Sequence, residues 1–357
     1  MQVDIIRPDE IDTDVEVAWR GFQASDPDLR SPFFTPEFCR IVGAVRADTR
    51  VAVLHEGGDI ACIFAYQHQR FGRLAPLAGQ ISDYHGFLAR PETTIDMGLI
   101  LRAAGAQAYD YNHAPKSQQS FAAQAFRETT SPLVDLSHGF QSWFDAKNAE
   151  TRAVRDLGRK ARKLARENGE LRLVANDLSE DAWAQFLDWK RESLAAQGAS
   201  FILDVPWARD IARMVRETDT PGLGGMTSSL YAGDTLVAVH FGMRTDKTLH
   251  WWFPAYSNEH RNVSPGLVQI VEVLRHLDAA GMTELDFGRG DQRYKLDLMN
   301  GARRLVEGSL ERPISPLGAP RRIRKSLQSM LARLPGPAVP EFTRRAGDRI
   351  LGAGRIS

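Results

Sequence analysis

Two landmarks recur at nearly constant spacing in the two halves of this 357-residue chain. The turn Gly58-Asp59 separates two apolar segments, and Gly233-Asp234 separates two others 175 residues later. Tyr109-Asp110-Tyr111 and Leu285-Asp286-Phe287 each follow a helical segment, and they lie 176 residues apart. A repeat of turn, helix and strand at one offset predicts a duplicated α/β unit whose two copies pack together.

Periodicity and turn residues predict the elements of each copy. In the first copy, Thr35 and Pro36 are expected to begin a helix, because they suit its N-cap and first position. We divide the chain into an N-terminal unit (1–149), a C-terminal unit (150–318) and a tail (319–357). The other predicted helices cover 95–104, 150–168, 179–197, 206–217 and 264–280, and the predicted strands cover 50–54, 60–68, 108–112, 228–232, 235–244, 248–255, 284–287 and 304–310.

The charge of the chain is balanced overall but unevenly distributed. It carries 45 Lys and Arg against 45 Asp and Glu, yet nine of the basic residues follow Ala319 and face only two acidic ones. This tail has a net charge of +7, so it is expected to attract an anionic nucleotide, an acidic lipid surface or an acidic glycan. The alternative is a solvated tail without a partner.

Several classes of protein are excluded by what the sequence lacks. Cys39 and Cys62 are too few for a disulfide scaffold and fit a reducing compartment. We expect no signal peptide and no membrane span, so the predicted location is the cytoplasm, with the inner face of the membrane as an alternative. The nine histidines show no paired metal-ligand spacing, and no metal is expected. No Walker loop or G-x-S-x-G motif occurs.

The strongest chemical signal is the junction between the strand at 248–255 and the next long helix. The first turn of a helix leaves backbone N–H groups free, and the helix dipole adds partial positive charge there. Such a helix start suits a pyrophosphate. The alternative is a capped helix, with Ser264 as its cap and no ligand. The residues that we assign to a bound phosphate group are Arg261, Val263, Ser264, Gly266 and Leu267.

This junction resembles the coenzyme A loop of the GNAT acyltransferases, Arg/Gln-x-x-Gly-x-Gly/Ala. Arg261 and Gly266 match the loop, and Ser264 stands where the middle glycine is expected. The order of strand, strand, phosphate loop, helix and strand is also similar to that fold. The resemblance implies two GNAT-like α/β units, each with a mixed, mostly antiparallel sheet flanked by helices. It also implies acetyl-CoA as co-substrate.

Further motifs narrow the resemblance to one branch. The opening Ser31-Pro-Phe-Phe-Thr-Pro-Glu-Phe and the run Asp286-Phe-Gly-Arg-Gly-Asp291, followed by Tyr294-Lys295, resemble the CelD-like (BioF2-like) acetyltransferases of exopolysaccharide synthesis. Among these, the chain is most similar to the enzymes that acetylate holdfast polysaccharide. Its plan is also similar to that of the Fem aminoacyltransferases. The resemblance covers about residues 30–312 and leaves out the tail.

The resemblance implies roles for residues around the strand at 284–287. Asp291 is expected to be the general base, with His240 as the second choice. Tyr294 is expected to protonate the leaving thiolate, and Asp286 to hold Arg289 or a substrate hydroxyl. Alternatives remain for each: Asp286 can brace a turn, His240 can be a satisfied strand histidine, and Tyr294 can belong to the core. The expected substrate-binding residues are Arg289, Lys295 and Trp252.

The N-terminal unit lacks a comparable phosphate loop. Between its strands and its helix stands Ser82-Asp83-Tyr84-His85-Gly86, so we expect this unit to pack against the active one and to shape the acceptor cleft. The predicted partner is a polysaccharide or a sugar-lipid precursor, and the predicted reaction is the acetylation of a sugar amine. No DNA partner is expected, and the sequence leaves the oligomeric state open.

Two other functions remain open at the level of sequence. An arginine stripe recurs at steps of three and four along the helix at 150–168, and guanidinium groups suit phosphate, including that of RNA. This favours a Fem-type aminoacyltransferase that uses aminoacyl-tRNA. The third hypothesis is a non-enzymatic effector whose basic tail binds an anionic nucleotide such as a cyclic dinucleotide. The stripe consists of Arg152, Arg155, Arg159, Arg162 and Arg166.

Overall fold

The computed structural model describes residues 1–90 and 93–312, and residues Met1–Arg312 form one compact unit. The predicted tail at 319–357 lies outside the described residues. The strands are β1 (Gln2–Ile6), β2 (Thr49–Glu56), β3 (Asp59–Gln69), β4 (Arg73–Pro76), β5 (Leu88–Ala89), β6 (Ala108–Pro115), β7 (Ala125–Asp135), β8 (Leu171–Val174), β9 (Gly224–Ala232), β10 (Thr235–Arg244), β11 (Thr248–Tyr256), β12 (Glu284–Asp286) and β13 (Gly301–Glu311). The α-helices are α1 (Thr13–Ser25), α2 (Pro36–Val45), α3 (Met97–Ala103), α4 (Gln119–Ala122), α5 (Phe140–Glu150), α6 (Arg152–Asn168), α7 (Glu180–Ala195), α8 (Pro206–Glu217), α9 (Pro265–Ala279) and α10 (Arg293–Leu298).

One mixed sheet runs through the whole described part of the chain, and its strand order is symmetric about its centre. The order is β1-β2-β3-β4-β6-β13-β7-β12-β11-β10-β9-β8, with β5 beside β3. Neighbouring strands are antiparallel except for two parallel pairs, β4 with β6 and β11 with β12. Each half therefore repeats the same pattern, and the predicted α/β fold with two similar, mostly antiparallel units is confirmed.

The two halves exchange their last strands. β7 ends the first half but pairs with β12 of the second, and β13 ends the second half but pairs with β6 of the first. β7 and β13 then pair with each other at the centre of the sheet. Because each half is completed by a strand from the other, the sequence boundary near residue 150 does not separate the sheet into two parts.

Local sequence explains the hairpins that mark the repeat. Gly57, Gly58 and Gly233 have φ values of 63°, 99° and 57°, in the left-handed region that favours glycine. They turn β2 into β3 and β9 into β10, as predicted. The predicted start of α2 is also confirmed, since the Thr35 hydroxyl accepts the N–H of Phe38 at 3.2 Å and Pro36 is the first helical residue.

The largest apolar cluster lies between the halves. It joins Phe33 and Phe38 of the N-terminal half to Phe241 and Trp252 of the C-terminal half, and all four are buried. Phe33 packs edge-to-face on Trp252, with ring centroids 5.5 Å apart. Each fully buried side chain of this size contributes about 1.5–3 kcal/mol, so the motif that begins at Ser31 holds the two halves together.

Some elements were not expected from the sequence. The elements β1, α1 and α5 were not predicted. The glycine-rich run Gly222–Gly225 leads into β9, which begins at Gly224. At Gly225 an added Cβ would lie 2.4 Å from the Val215 carbonyl oxygen, so glycine is needed there for close packing on α8. Among the described helices, none is both long and apolar enough to cross a bilayer.

Candidate active site

The candidate site begins where β11 and β12 part. Their parallel register runs from Thr248 opposite Glu284 to His250 opposite Asp286, where β12 ends. β11 continues to Tyr256 and stays paired with β10. A gap therefore opens beyond His250, bordered by β11 on one side and by the residues that follow Asp286 on the other.

The start of α9 lies at the far end of β11. Ser264 has φ 52° and ψ 57°, a left-handed conformation that serine rarely adopts. This explains why the matching position of the coenzyme A loop is a glycine. Ser264 is the N-cap residue of α9, as expected, but its hydroxyl makes no cap hydrogen bond and instead accepts one from the Lys160 ammonium at 2.9 Å. Lys160 was not predicted, and it brings positive charge from α6 to this turn.

The other residues assigned to phosphate surround this turn. Arg261 is exposed on the short 3-10 helix Asn258–Val263, whereas Val263 is buried and can contribute only its backbone. Pro265 has no N–H, so Gly266 carries the first free N–H of α9. A Cβ added at Gly266 would lie 3.2 Å from the Tyr256 ring. Glycine therefore lets the start of α9 lie close to Tyr256. Leu267 is half-buried one position later.

Asp286 lies at the parting point but faces inward, with no exposed surface. One carboxylate oxygen accepts Ser131 Oγ and the Gly288 N–H, both at 2.8 Å. The other accepts Tyr84 Oη at 2.6 Å and Arg303 Nη1 at 2.9 Å. Since four donors occupy both oxygens, the structure gives Asp286 the bracing position and not a contact with Arg289 or a substrate hydroxyl.

His240 and Trp252 belong to the core. His240 is fully buried, its Nε2 accepts the Trp252 N–H at 3.2 Å, and its ring stacks on Trp251 at 3.6 Å. Burial holds the pKa of His240 well below its usual value, with the charges of His250 and Lys190 acting in the same direction. The Trp252 indole N–H donates to the Ile81 carbonyl at 2.9 Å. The interpretation of His240 as a base and of Trp252 as a substrate contact is therefore corrected, because neither side chain faces the gap.

The remaining predicted residues follow β12. Asp291 is exposed in the loop before α10. Tyr294 is half-buried on α10 against Phe287, and burial raises its pKa to about 12. Lys295 is buried and donates to the carbonyls of Gly288 and Arg289 at 3.2 and 3.0 Å. Lys295 therefore shapes this loop from inside and is not presented to a substrate, which corrects its assignment.

Four polar side chains that sequence reasoning missed meet at the same place. Asp83 Oδ2 lies 2.9 Å from His250 Nε2, and His113 Nε2 lies 3.3 Å from Arg289 Nη1. His85 Nε2 accepts the backbone N–H of His113 at 3.0 Å. Asp83 and His85 belong to the segment 82–86. In the N-terminal half, this segment takes the position that the proposed phosphate loop has in the C-terminal half. Two ionisable residues in that segment were the signal available from sequence.

The electrostatics of this cluster separate its members. Burial alone would raise the pKa of Asp83, but the hydrogen bond from His250 and nearby positive charge outweigh it and hold the pKa below its usual value. Burial lowers the pKa of His113 to about 4, and it lowers that of His85 well below the usual range. Asp83 is thus a carboxylate, whereas His85 and His113 are neutral. In the described residues, no group of three or more His, Cys, Asp or Glu is placed to hold a metal ion.

Lys190 borders the gap from α7. Its ammonium donates to the carbonyl of Pro254, on the part of β11 beyond the parting point, at 3.0 Å. Burial lowers the pKa of Lys190 to about 8, and the charge of Lys295 adds to the effect. Lys190 therefore brings a cation to this part of β11, and the Asp83 carboxylate lies at the parting point.

Comparison with known proteins agrees with this geometry. Residues 151–296 match the sequence model of the family described as acetyltransferase (GNAT) domain. This range contains α6, β11, the start of α9 and Tyr294. A search of proteins with curated function finds no match.

Several solved structures have a similar fold. FemX aligns with a TM-score of 0.58 at 10% identity, covering 87% of this chain and 96% of FemX. A tandem GNAT protein from the clavulanic acid biosynthesis pathway aligns with a TM-score of 0.50 at 12% identity, covering 88% and 100%. The L-PGS of Bacillus licheniformis aligns with a TM-score of 0.50 at 12% identity, covering 85% and 98%. Residues 151–296 therefore match a GNAT acetyltransferase domain, within a chain that has the fold of tandem GNAT and Fem-type proteins.

Proposed function

We propose that this protein transfers the acetyl group of acetyl-CoA to the amine of a sugar, on an exopolysaccharide or its precursor. The observation that carries the proposal is the gap between β11 and β12, which opens beside the start of α9. A thioester in the gap and its pyrophosphate at the helix start would use both features at once. The sugar acceptor is supported by the resemblance of the motifs at 31–38 and 286–295 to the CelD-like acetyltransferases.

The positive groups near α9 suit the phosphates of the donor. Lys160 already reaches the turn through Ser264, and Arg261 is exposed beside it. Lys160 can exchange its contact with Ser264 for a charge-assisted hydrogen bond to phosphate, and Arg261 can donate one from the surface; such bonds are stronger than neutral ones. The N–H of Gly266 adds the dipole of a 15-residue helix.

Acetyl transfer then needs a nucleophile, a stabilised oxyanion and a proton for the leaving group. The neutral amine attacks the thioester carbonyl, a C–N bond forms, and the C–S bond breaks. Tyr294 is the proposed proton donor to the thiolate. Burial raises the pKa of Tyr294 to about 12, so its phenol is protonated at neutral pH and holds the proton that the thiolate needs as it leaves.

The test is calorimetric titration of the full chain with acetyl-CoA. We expect micromolar binding by the wild type and at least a 100-fold loss for Gly266→Asp, which places bulk and negative charge where phosphate would bind. Gly21→Asp is the matched control, because it adds the same charge on α1 where the structure leaves open space. Absence of binding by the wild type, or equal loss in both variants, would contradict the assigned donor site.

A Fem-type aminoacyl transfer is the second candidate, and the exposed face of α6 favours it. Val154, Leu157 and Leu164 are buried, whereas the side chains of Arg152 and Arg166 are 86% and 76% exposed. A phosphate backbone could bind this stripe. Binding of charged tRNA in a gel shift, without any heat from acetyl-CoA, would favour this function. The effector hypothesis depends on the tail outside the described residues.

A further inference from the structure

We infer that Asp83, supplied by the N-terminal half, is the carboxylate that receives the acceptor amine and takes its proton during transfer. This inference rests on the proposed function and goes beyond it, because it assigns the acceptor side of the site to a residue outside the matched domain 151–296. His250 of β11 is the positioning residue that holds Asp83.

The first observation is where Asp83 lies. Its carboxylate contacts His250, the last residue of β11 that pairs with β12. A Cβ added at Gly288 would lie 2.7 Å from Asp83 Oδ2 and 3.2 Å from His250 Cε1, so the chain leaving β12 passes directly beside the pair. Asp83 is therefore at the point where the two strands part, which is the inner end of the gap proposed for the thioester.

The second observation is how firmly Asp83 is held. The His250 ring has no exposed surface, and Phe33 and Tyr84 pack edge-to-face on it at 5.0 and 6.1 Å. Its Nδ1 lies 3.9 Å from Asp286 Oδ1. The buried ring is therefore packed against two aromatic side chains and makes its hydrogen bond to Asp83 through Nε2, so it orients Asp83 as a supporting residue does in a preorganised site.

The third observation is access. The Asp83 side chain is 29% exposed, whereas His250, Asp286 and His113 are buried. Asp83 is therefore the member of this cluster whose charge an incoming group can reach. A carboxylate attracts a cation, which suits a protonated amine. Arg289, one residue beyond Gly288, lies next to His113 and can meet hydroxyl or anionic groups of the same acceptor.

The proton balance fits a carboxylate of ordinary or lowered basicity. The bound ammonium first loses one proton to water, and the neutral amine attacks the thioester carbon. The nitrogen of the tetrahedral adduct carries a formal positive charge and is far more acidic than the free ammonium, so Asp83 can take that second proton. As the C–S bond breaks, the thiolate takes the Tyr294 proton. Exchange with water then returns a proton to Tyr294 and removes one from Asp83.

The sequence pointed to Asp291 for this role, and the structure separates the two carboxylates. Asp291 is exposed in the loop before α10. Asp83 is fixed by His250 at the parting point of the strands. A general base must lie within hydrogen-bond reach of the proton that it takes, so position decides before pKa does. The position of Asp83 meets this condition for a thioester held between β11 and β12.

The experiment compares Asp83→Asn with Asp291→Asn in the full chain. Thiol release from acetyl-CoA is measured with D-glucosamine and with chitotriose as amine probes, and acetyl-CoA affinity is measured by calorimetry. We expect Asp83→Asn to lower kcat/KM for the amine by at least 100-fold and to change acetyl-CoA affinity by less than threefold. Asp83→Glu should recover part of the rate. Asp59→Asn, in the exposed β2–β3 turn, is the matched control for the amide substitution.

A change of His250 distinguishes positioning from stability. His250→Gln should lower kcat more than it raises KM. The comparison is made on protein whose thermal midpoint lies above the assay temperature. If Asp83→Asn keeps kcat/KM within threefold of wild type, or Asp291→Asn alone abolishes transfer, the inference is wrong while the proposed function stands. If the wild type transfers acetyl to neither amine, the proposed function fails, and the inference fails with it.

Discussion

The two halves of this protein share one topology but connect the same two elements differently. In the C-terminal half, the nine-residue strand β11 leads through a short 3-10 helix to the 15-residue helix α9. In the N-terminal half, the four-residue strand β4 leads through a long segment containing Asp83 and β5 to the seven-residue helix α3. One copy keeps a tight helix start suited to phosphate. The N-terminal half has a longer connection, and that segment carries Asp83 and Tyr84 into the site of the C-terminal half.

Exchange of the last strands makes this division of labour possible. β13 carries Arg303 from the C-terminal half into the centre of the sheet, where the Arg303 guanidinium binds Asp286 at 2.9 Å and Glu284 at 2.7 Å. Asp286 in turn accepts Tyr84 of the N-terminal half. The halves are thus joined by one buried polar network in addition to the apolar cluster around Phe33.

The largest effect is expected from breaking that network. Arg303→Met removes the one guanidinium that neutralises two buried carboxylates, and loss of a partner from a buried ion pair costs about 3–5 kcal/mol. Arg304→Met is the matched control, because the neighbouring side chain is 67% exposed and binds the surface residue Glu128, a contact worth about 0–1 kcal/mol. The measurement is the free energy of unfolding in urea.

A small loss for Arg303→Met, equal to that of Arg304→Met, would mean that the apolar cluster alone holds the halves together. Two separate transitions in Arg303→Met would mean that the network couples two units that otherwise unfold independently. A single transition at a lower midpoint is the expected result, because each half still contains a strand of the other.

The next largest effect is expected in the pH dependence of the free energy of unfolding, to which a buried histidine in each half contributes. His85 Nε2 accepts N–H groups of β6, and His240 Nε2 accepts an N–H of β11. Burial holds both pKa values well below 6.5 in the folded state. Below about pH 6.5 the unfolded chain therefore binds protons that the folded chain does not. Stability is thus lost as pH falls through this range, by about 1.4 kcal/mol per pH unit for each histidine.

Single substitutions test this slope in each half. His85→Gln and His240→Gln should each reduce the slope of unfolding free energy against pH, measured between pH 6.5 and 5, by about one proton. Equal reductions are expected if the halves unfold as one unit. A slope that stays unchanged in either variant would mean that the histidine titrates normally in the folded protein.

The sequence predicted the repeat, the two hairpins and the helix starts, because these depend on residues close together in the chain, such as Gly233 or Thr35 and Pro36. The proposed donor side of the site is local for the same reason, since 261–267 is one continuous segment. The sequence did not predict the proposed acceptor side. Asp83 and His250 meet only because the sheet brings residues 167 positions apart together, and no local pattern indicates which of several exposed aspartates will be fixed.

It also misplaced residues for a related reason. Four of the predicted site residues belong to the strands and loops around the gap, but the direction of each side chain depends on packing between the halves. These residues are Asp286, His240, Trp252 and Lys295. Asp286 faces Arg303, which is contributed by the exchanged strand β13. Trp252 faces Ile81 of the N-terminal half. Position along a strand indicates closeness to a site, whereas the packing partner decides whether a side chain reaches it.

The smallest effect concerns a conformation that both halves share. Ala78, after β4, and Ser264, before α9, are non-glycine residues with positive φ, at 58° and 52°. Glycine relieves strain of about 1 kcal/mol at such positions but gains about as much entropy in the unfolded chain. Ala78→Gly and Ser264→Gly should therefore each change the free energy of unfolding by about 0.5 kcal/mol or less.

Acetyl-CoA affinity should then distinguish the two positions. Ser264→Gly frees Lys160 from its hydroxyl partner and restores the glycine of the coenzyme A loop, so binding should become about threefold tighter. Ala78→Gly should leave the affinity unchanged, because the N-terminal half has no phosphate loop at this turn. Weaker binding by Ser264→Gly would show that the Ser264 hydroxyl itself contacts phosphate, and the C-terminal half would then have replaced a glycine contact with a side-chain contact at the same turn.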